Sequence, residues 1–356
     1  MTLWGDILLE ILEYAVKAKC SDIHITEGKY PVLRRYGTLY KHEEFGIMSF
    51  DMIYGFLKQN LRERFTSDLN HIDAPLNFFG RRFRMNVYKS ISGINLALRI
   101  IGNEISTLNQ LYLPEKLLRF TEFRSGLVLI IGTTGSGKST TLASLIDYIN
   151  HRDNVNILTM EDPIEYIYTE DKAKIEQREF RTHFSSYENA LSAAMRQDFD
   201  IILVGEMRDL GSITQAITLA ETGHLVFSTL HSVSVYDVVD RIVDSFEACV
   251  REQIRTQLSS VLRGVVHQTL VPNIQGGVLP LVEVMYVNDA LSGMIRQAQR
   301  PNAFRDYIRG HKEVGVHIVD NAAWHINEGR LDLESVKPFV SPEDYMVVSS
   351  LFKGRR

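Results

Sequence analysis

A chain of 356 residues, 45% hydrophobic and 23% charged, has the make-up of a folded globular protein with one large or two ordinary domains. A net charge of −5 gives no general attraction to nucleic acid, so no nucleic-acid partner is expected. Two cysteines, Cys20 and Cys249, exclude a disulfide framework and a four-cysteine zinc site, and fit a reducing cytoplasm.

The first stretch, "MTLWGDILLEILEYAVKAK", sets Leu3, Ile7, Leu8, Ile11 and Leu12 at helical spacing. Asp6, Glu10 and Glu13 interrupt it, so it reads as a surface helix docked on a core and not as a signal peptide. No apolar run reaches the roughly 18–20 residues of a membrane span, and no direct span is expected. Strand-like stretches follow: "SDIHIT", "YPVLRRYGTLYK", "APLNFF", "RRFRMNVY" and "INLALRII", punctuated by Gly28, Gly37, Gly80 and Gly93. Residues 1–101 therefore read as a small α+β domain. Its tight basic cluster is "RRFR", Arg81 to Arg84. Residues 102–115, "GNEISTLNQLYLPE", are polar and aperiodic and read as a linker.

From 116 to about 280 the pattern changes to α/β. "GLVLIIG" is a buried strand, Lys138 to Asn150 a helix, and "VNILTM" a second strand. Ser185 with Glu188 predicts a capping box ahead of a helix running to about Gln197. "IILVG" is the third strand, followed by a helix to Gly223, and "LVFSTL" is the fourth. Strands alternating with helices predict a parallel sheet with right-handed crossovers. Residues 281–356 read as mostly amphipathic helix with a polar tail.

Four segments carry chemistry. "GTTGSGKST" supplies Gly132, Thr133, Thr134, Gly135, Ser136, Gly137, Lys138, Ser139 and Thr140, the full P-loop pattern between a strand and a helix. Glycines let the backbone aim several N–H groups at phosphate, and the helix N-terminus adds partial positive charge. Lys138 is placed to reach the β- and γ-phosphates of ATP, and Ser139 to ligate Mg2+ directly. "TMEDPIEY" sets Glu161, Asp162 and Glu165 just past the second strand, where they could orient water or magnesium, Glu161 meeting the metal directly or through a water. "DIILVGEMRD" ends its strand in Gly205-Glu206, where a magnesium-holding aspartate is usual; Glu206 is the candidate to direct the attacking water. Arg208 and Asp209 read as a structural pair or a helix start. "ETGHLVFSTLHS" sets His224 and His231 at the two ends of the fourth strand, where they could sense phosphate or a neighbour.

Together and in this order, the four segments resemble the secretion-superfamily ATPases of type IV pili and type II secretion. They are most similar to the twitching-motility, or pilus retraction, branch. "SDIHI" and "RFRMN" extend the resemblance into the first domain, so that it covers about residues 5–330. It implies a PAS-like N-terminal domain, a RecA-like P-loop ATPase domain, a helical C-terminal region and a homohexameric ring. It also implies an inner-membrane pilus platform protein as partner, and a cytoplasmic location at the inner membrane through that partner. Arginines are implied to reach from the first domain into a nucleotide site; Arg84 and Arg99 are the best candidates, with Arg84 ahead of both Arg99 and Arg82. Two cysteines cannot build the zinc module usual in the extension and secretion branches. "ALSGMIRQAQ" (290–299) departs from the retraction branch: Arg296 is kept, Ser292 stands where an arginine is usual, and an acidic neighbour is missing. Phe199 likewise replaces a usual proline. A paralogue of the retraction motor, an assembly or type II secretion motor, and a RecA-type nucleic-acid motor are the alternatives.

Overall fold

The computed structural model describes residues 6–35, 38–61, 71–101 and 105–352. Leu3, Gly37, the first three residues of the predicted linker and the tail from Lys353 lie outside them. The chain divides into two compact units, Met1–Glu104 and Ile105–Arg356.

In the first unit, helix α1 (Asp6–Lys17) buries Leu8, Ile11, Leu12 and Ala15, the stripe expected from its spacing. Strands β1 (Asp22–Thr26), β2 (Val32–Arg35) and β3 (Thr38–Lys41) precede helix α2 (Phe50–Leu61). Strands β4 (His71–Phe78), β5 (Arg81–Ser90) and β6 (Gly93–Ile101) complete an antiparallel sheet in the order β3-β2-β1-β6-β5-β4. Alternation assigns its faces: Phe83, Met85 and Val87 of β5 and Leu96 and Leu98 of β6 join the helices in one core. Arg84 and Arg99 fall on the other face.

The second unit carries an eight-stranded sheet. Strand β7 (Gly126–Ile131) leads through the P-loop into α3 (Lys138–Arg152), then β8 (Asn156–Glu161), β9 (Lys174–Glu179) and α4 (Tyr187–Ala194). Strand β10 (Ile201–Val204), α5 (Leu210–Glu221), β11 (Leu225–Leu230), α6 (Val238–Asp244) and α7 (Arg251–Val261) follow. Strands β12 (Leu262–Pro272) and β13 (Val278–Tyr286), helices α8 (Asp289–Arg296) and α9 (Pro301–Gly310), and strand β14 (Gly315–Val316) come next. Helices α10 (Ile318–Asn327), α11 (Leu333–Val336) and α12 (Pro342–Phe352) end the fold. The order is β14-β13-β12-β7-β11-β10-β8-β9, parallel from β12 to β9. Both faces of β7 are buried: Leu127, Leu129 and Ile131 lie in one core, Val128 and Ile130 in another. That is why the strand reads as an unbroken apolar run.

Three details depart from the sequence reading. Over its described residues the predicted linker is packed, because Leu108 and Leu113 are buried with Leu117 and Phe120 in a core of the second unit. The sheet runs past residue 280, since β13 extends to Tyr286 and pairs along β12, and β14 adds an edge; an apolar run next to amphipathic helices hides such a strand. The cap of α4 is Ser186 and not Ser185, its hydroxyl accepting from the Asn189 N–H. Among the described residues no helix is long and apolar enough to cross a membrane.

Candidate active site

Parallel strands put their carboxyl ends on one edge of a sheet. Four loops leave that edge in the second unit, after β7, β8, β10 and β11, and they are the four segments singled out by sequence. β11 lies between β7 and β10, pairing with both.

The P-loop curls because its glycines permit it. Gly132 has φ 151°, and a Cβ there would come within 2.3 Å of the Gln268 carbonyl. Gly137 holds the left-handed N-cap of α3, and Lys138 opens the helix. Lys138 is buried and donates from Nζ to the carbonyls of Gly132 (3.0 Å) and Thr133 (2.8 Å). Burial lowers its pKa, while the Glu206 and Glu165 charges oppose that. Thr133, Thr134 and Gly135 are exposed, Ser136 is buried, and Ser139 and Thr140 are half-buried. The Thr140 hydroxyl lies 2.8 Å from that of Tyr166.

Gln268, on β12, secures the loop from behind. Its amide donates to the Ser136 carbonyl (2.7 Å) and accepts from the Thr141 hydroxyl (2.7 Å). Sequence reasoning missed it. The available signal was an amide in an apolar strand, "LRGVVHQTLV", since a buried amide must find partners.

The acidic residues converge from two strands. Glu161 ends β8, where the Thr159 hydroxyl donates to its Oε1 at 2.8 Å. Burial pushes its pKa up to about 7 against that hydrogen bond, and the Glu165 charge adds to the rise. At the end of β10, a Cβ on Gly205 would stand 3.2 Å from the Met160 carbonyl and 3.3 Å from Glu161 Cα. Glycine at 205 thus accommodates the close approach of β8, whose glutamate takes the space beside it. The Gly205 carbonyl accepts from the Thr229 hydroxyl at 2.6 Å, tying β10 to β11.

Glu206 is held at both oxygens. Arg208 Nε donates to one at 2.6 Å, and His231 Nε2 lies 2.8 Å from the other. Arg208 also donates to Asp162 at 2.9 Å, so it bridges the loops after β8 and β10, its ion pairs being with Glu206 and Asp162. Asp209 caps α5 in a capping box with Ser212.

Not every predicted residue joins the site. His231 does, but His224 does not: it precedes β11 at the opposite, amino edge, where its backbone carbonyl accepts from the Gly126 N–H. Its ring contacts the Leu219 carbonyl and the Thr222 hydroxyl. The six residues of β11 separate the two histidines by about 20 Å. In the first unit, Arg84 and Arg99 are register partners on β5 and β6 and share one face. Both are exposed, and Arg99 Nε is tied to Asp22 at 2.9 Å.

Comparison with known proteins agrees with this geometry. A family model described as type II/IV secretion system protein matches residues 5–337. The type IV pilus retraction ATPase PilT of Pseudomonas aeruginosa is 37% identical over 297 residues, 82% of this chain and 85% of its own length. The type IV pilus ATPase PilU of the same organism is 30% identical over 331 residues, 91% of this chain and 86% of its own. A crystal structure of the pilus retraction motor PilT with bound ADP superimposes with a TM-score of 0.87 at 35% identity, over 94% of this chain and 98% of that one. The chain belongs to the type II/IV secretion system protein family and is one of its ATPases.

Proposed function

We propose that the chain is a magnesium-dependent ATPase motor that works as a homohexameric ring and drives type IV pilus retraction. It would act on the cytoplasmic side of the inner membrane, held there by a platform protein. The observation that carries the hydrolytic part is the shared sheet edge, where Lys138, Glu161 and the Glu206–His231 pair meet. The likeness to retraction ATPases across most of both chains supports the mechanical part.

In this reading the P-loop amides and Lys138 hold the triphosphate, and Glu206 orients the attacking water. The hydroxyl of the half-buried Ser139 and the Glu161 carboxylate would supply oxygens of the kind magnesium takes, with phosphate oxygens and water for the rest. When bound, magnesium neutralises phosphate charge. A cation there would also favour the charged form of Glu161, which burial disfavours. Arg84 reaches a nucleotide on the neighbouring subunit, its planar fork suited to phosphate oxygens. Arg99, engaged by Asp22, has the lesser share.

The departure at residues 290–299, with Ser292 where the retraction branch usually has an arginine, favours a second reading, a paralogue of the retraction motor. On α8, the Ser292 hydroxyl donates to the Ser259 carbonyl and Arg296 Nε donates to the Ser259 hydroxyl at 3.3 Å. Both residues thus fasten α8 to α7.

The tests separate chemistry from machine. Glu206→Gln should lower kcat by on the order of 100-fold or more with nucleotide binding retained; wild-type turnover would overturn the water-directing role. Deleting the gene in its host should leave hyperpiliated, non-twitching cells. Bald cells would indicate assembly, and twitching cells with normal piliation would indicate a dispensable paralogue.

A further inference from the structure

His231 must stay on Glu206 to take part in hydrolysis, yet nearly half of its side-chain surface is exposed, at 47%. Its own packing cannot hold it. The loop that carries it, residues 231–237, is anchored a few residues later. Val235 is fully buried in the core beside β7 and β10. Tyr236 packs against the same core, and its hydroxyl donates to Glu283 Oε1 at 2.7 Å.

The acceptor is itself fixed. Glu283 is buried on β13, directly opposite His267 of β12. Its Oε1 lies 3.7 Å from His317 Nε2, which lies 3.8 Å from Asp344. Asp344 is bound in turn by Arg305 and by Arg309 (2.6 Å). Burial pushes the Glu283 pKa up to about 7, and the bond from Tyr236 is the largest influence opposing that rise. A phenylalanine would fill the same volume, so the hydroxyl is what the carboxylate specifically gains.

We infer that Tyr236 is a positioning residue for hydrolysis, its bond to Glu283 fixing the loop after β11 so that His231 stays seated on Glu206. The inference rests on the proposed part of Glu206 and His231 in ATP hydrolysis. A loop without this tether samples more arrangements, and a reactive constellation is sensitive to small misplacements.

The test is steady-state ATPase kinetics on the full chain, with thermal unfolding recorded for each variant. Tyr236→Phe should lower kcat about fivefold or more with KM for ATP within about twofold. In a His231→Ala background the same change should cause no further fall, because the group being positioned is gone. Glu283→Gln, whose amide oxygen still accepts from the phenol, should keep kcat within about twofold, whereas Glu283→Leu should match Tyr236→Phe. Unchanged kcat in Tyr236→Phe, or a loss that multiplies in full with that of His231→Ala, overturns the tether. Unchanged kcat in His231→Ala and Glu206→Gln overturns instead the reading on which it rests. Should Tyr236→Phe fail to fold, the two Glu283 variants decide: equal activity in both counts against the tether.

Discussion

Gly205 occupies the position where an ATPase strand ordinarily ends in a metal-holding aspartate. Its surroundings explain the exchange. The Met160 carbonyl and Glu161 Cα stand 3.2 and 3.3 Å from where its Cβ would be, and Glu161 brings its own carboxylate from the next strand. Supplying the usual residue should therefore harm the enzyme. Gly205→Asp would crowd β8 and set a second acid beside a carboxyl that burial already pushes up to about 7. We expect kcat to fall at least about tenfold and stability to drop by about 1–3 kcal/mol, read by ATPase assay and denaturant unfolding. Activity at or above wild type would show that the site had merely lost an acid. The glycine and the two glutamates were legible in the sequence, but the contact distances between them were not, since these depend on how closely β8 and β10 pack.

Elements show the same division. The P-loop and the strands around it could be read because phosphate binding is encoded within nine consecutive residues. Gln268 stood out at most as an amide in need of partners; its role could not be read, because the contacts that give it one lie more than a hundred residues earlier. Strand β12 holds the loop from behind, so Gln268→Leu should leave the Ser136 carbonyl and the Thr141 hydroxyl without their partner. A cost of about 1–3 kcal/mol follows from stranding buried polar groups. KM for ATP should rise more than kcat falls, because Gln268 shapes the cradle and is not placed at the reacting atoms. An unchanged KM would deny it that part. The packing of the predicted linker escaped notice for an element-scale reason: its polar composition masked two leucines that are buried in the core.

At the scale of the molecule, the first unit matters for the face it presents. Arg84 and Arg99 sit directly opposite one another, an arrangement that like charges resist and that Asp22 only partly relieves. If Arg84 acts on a neighbouring subunit, Arg84→Ala and Lys138→Ala should each silence a uniform ring. Mixing the two before assembly should restore part of the activity, since some sites then receive an intact arginine and an intact P-loop. No recovery in verified mixed rings would place the arginine within its own chain or outside catalysis. The sequence set the two arginines only on separate strand-like stretches, and the pairing of β5 with β6 put them on one face. Their facing register depended on the turn at Gly93, which pairs with Ser90.

The position of β11 sets a length. Neighbouring strands in a sheet stand about 4.8 Å apart, so the phosphate cradle after β7 and the carboxylate strand β10, with one strand between them, are separated by about 9–10 Å. Were β7 and β10 adjacent, the interval would be half of that, too narrow for a phosphoryl group and an attacking water in line. The sheet thus acts as a ruler for the reaction. It is graduated in whole strands and made of six buried or nearly buried residues, Leu225 to Leu230, none of which needs to touch the nucleotide.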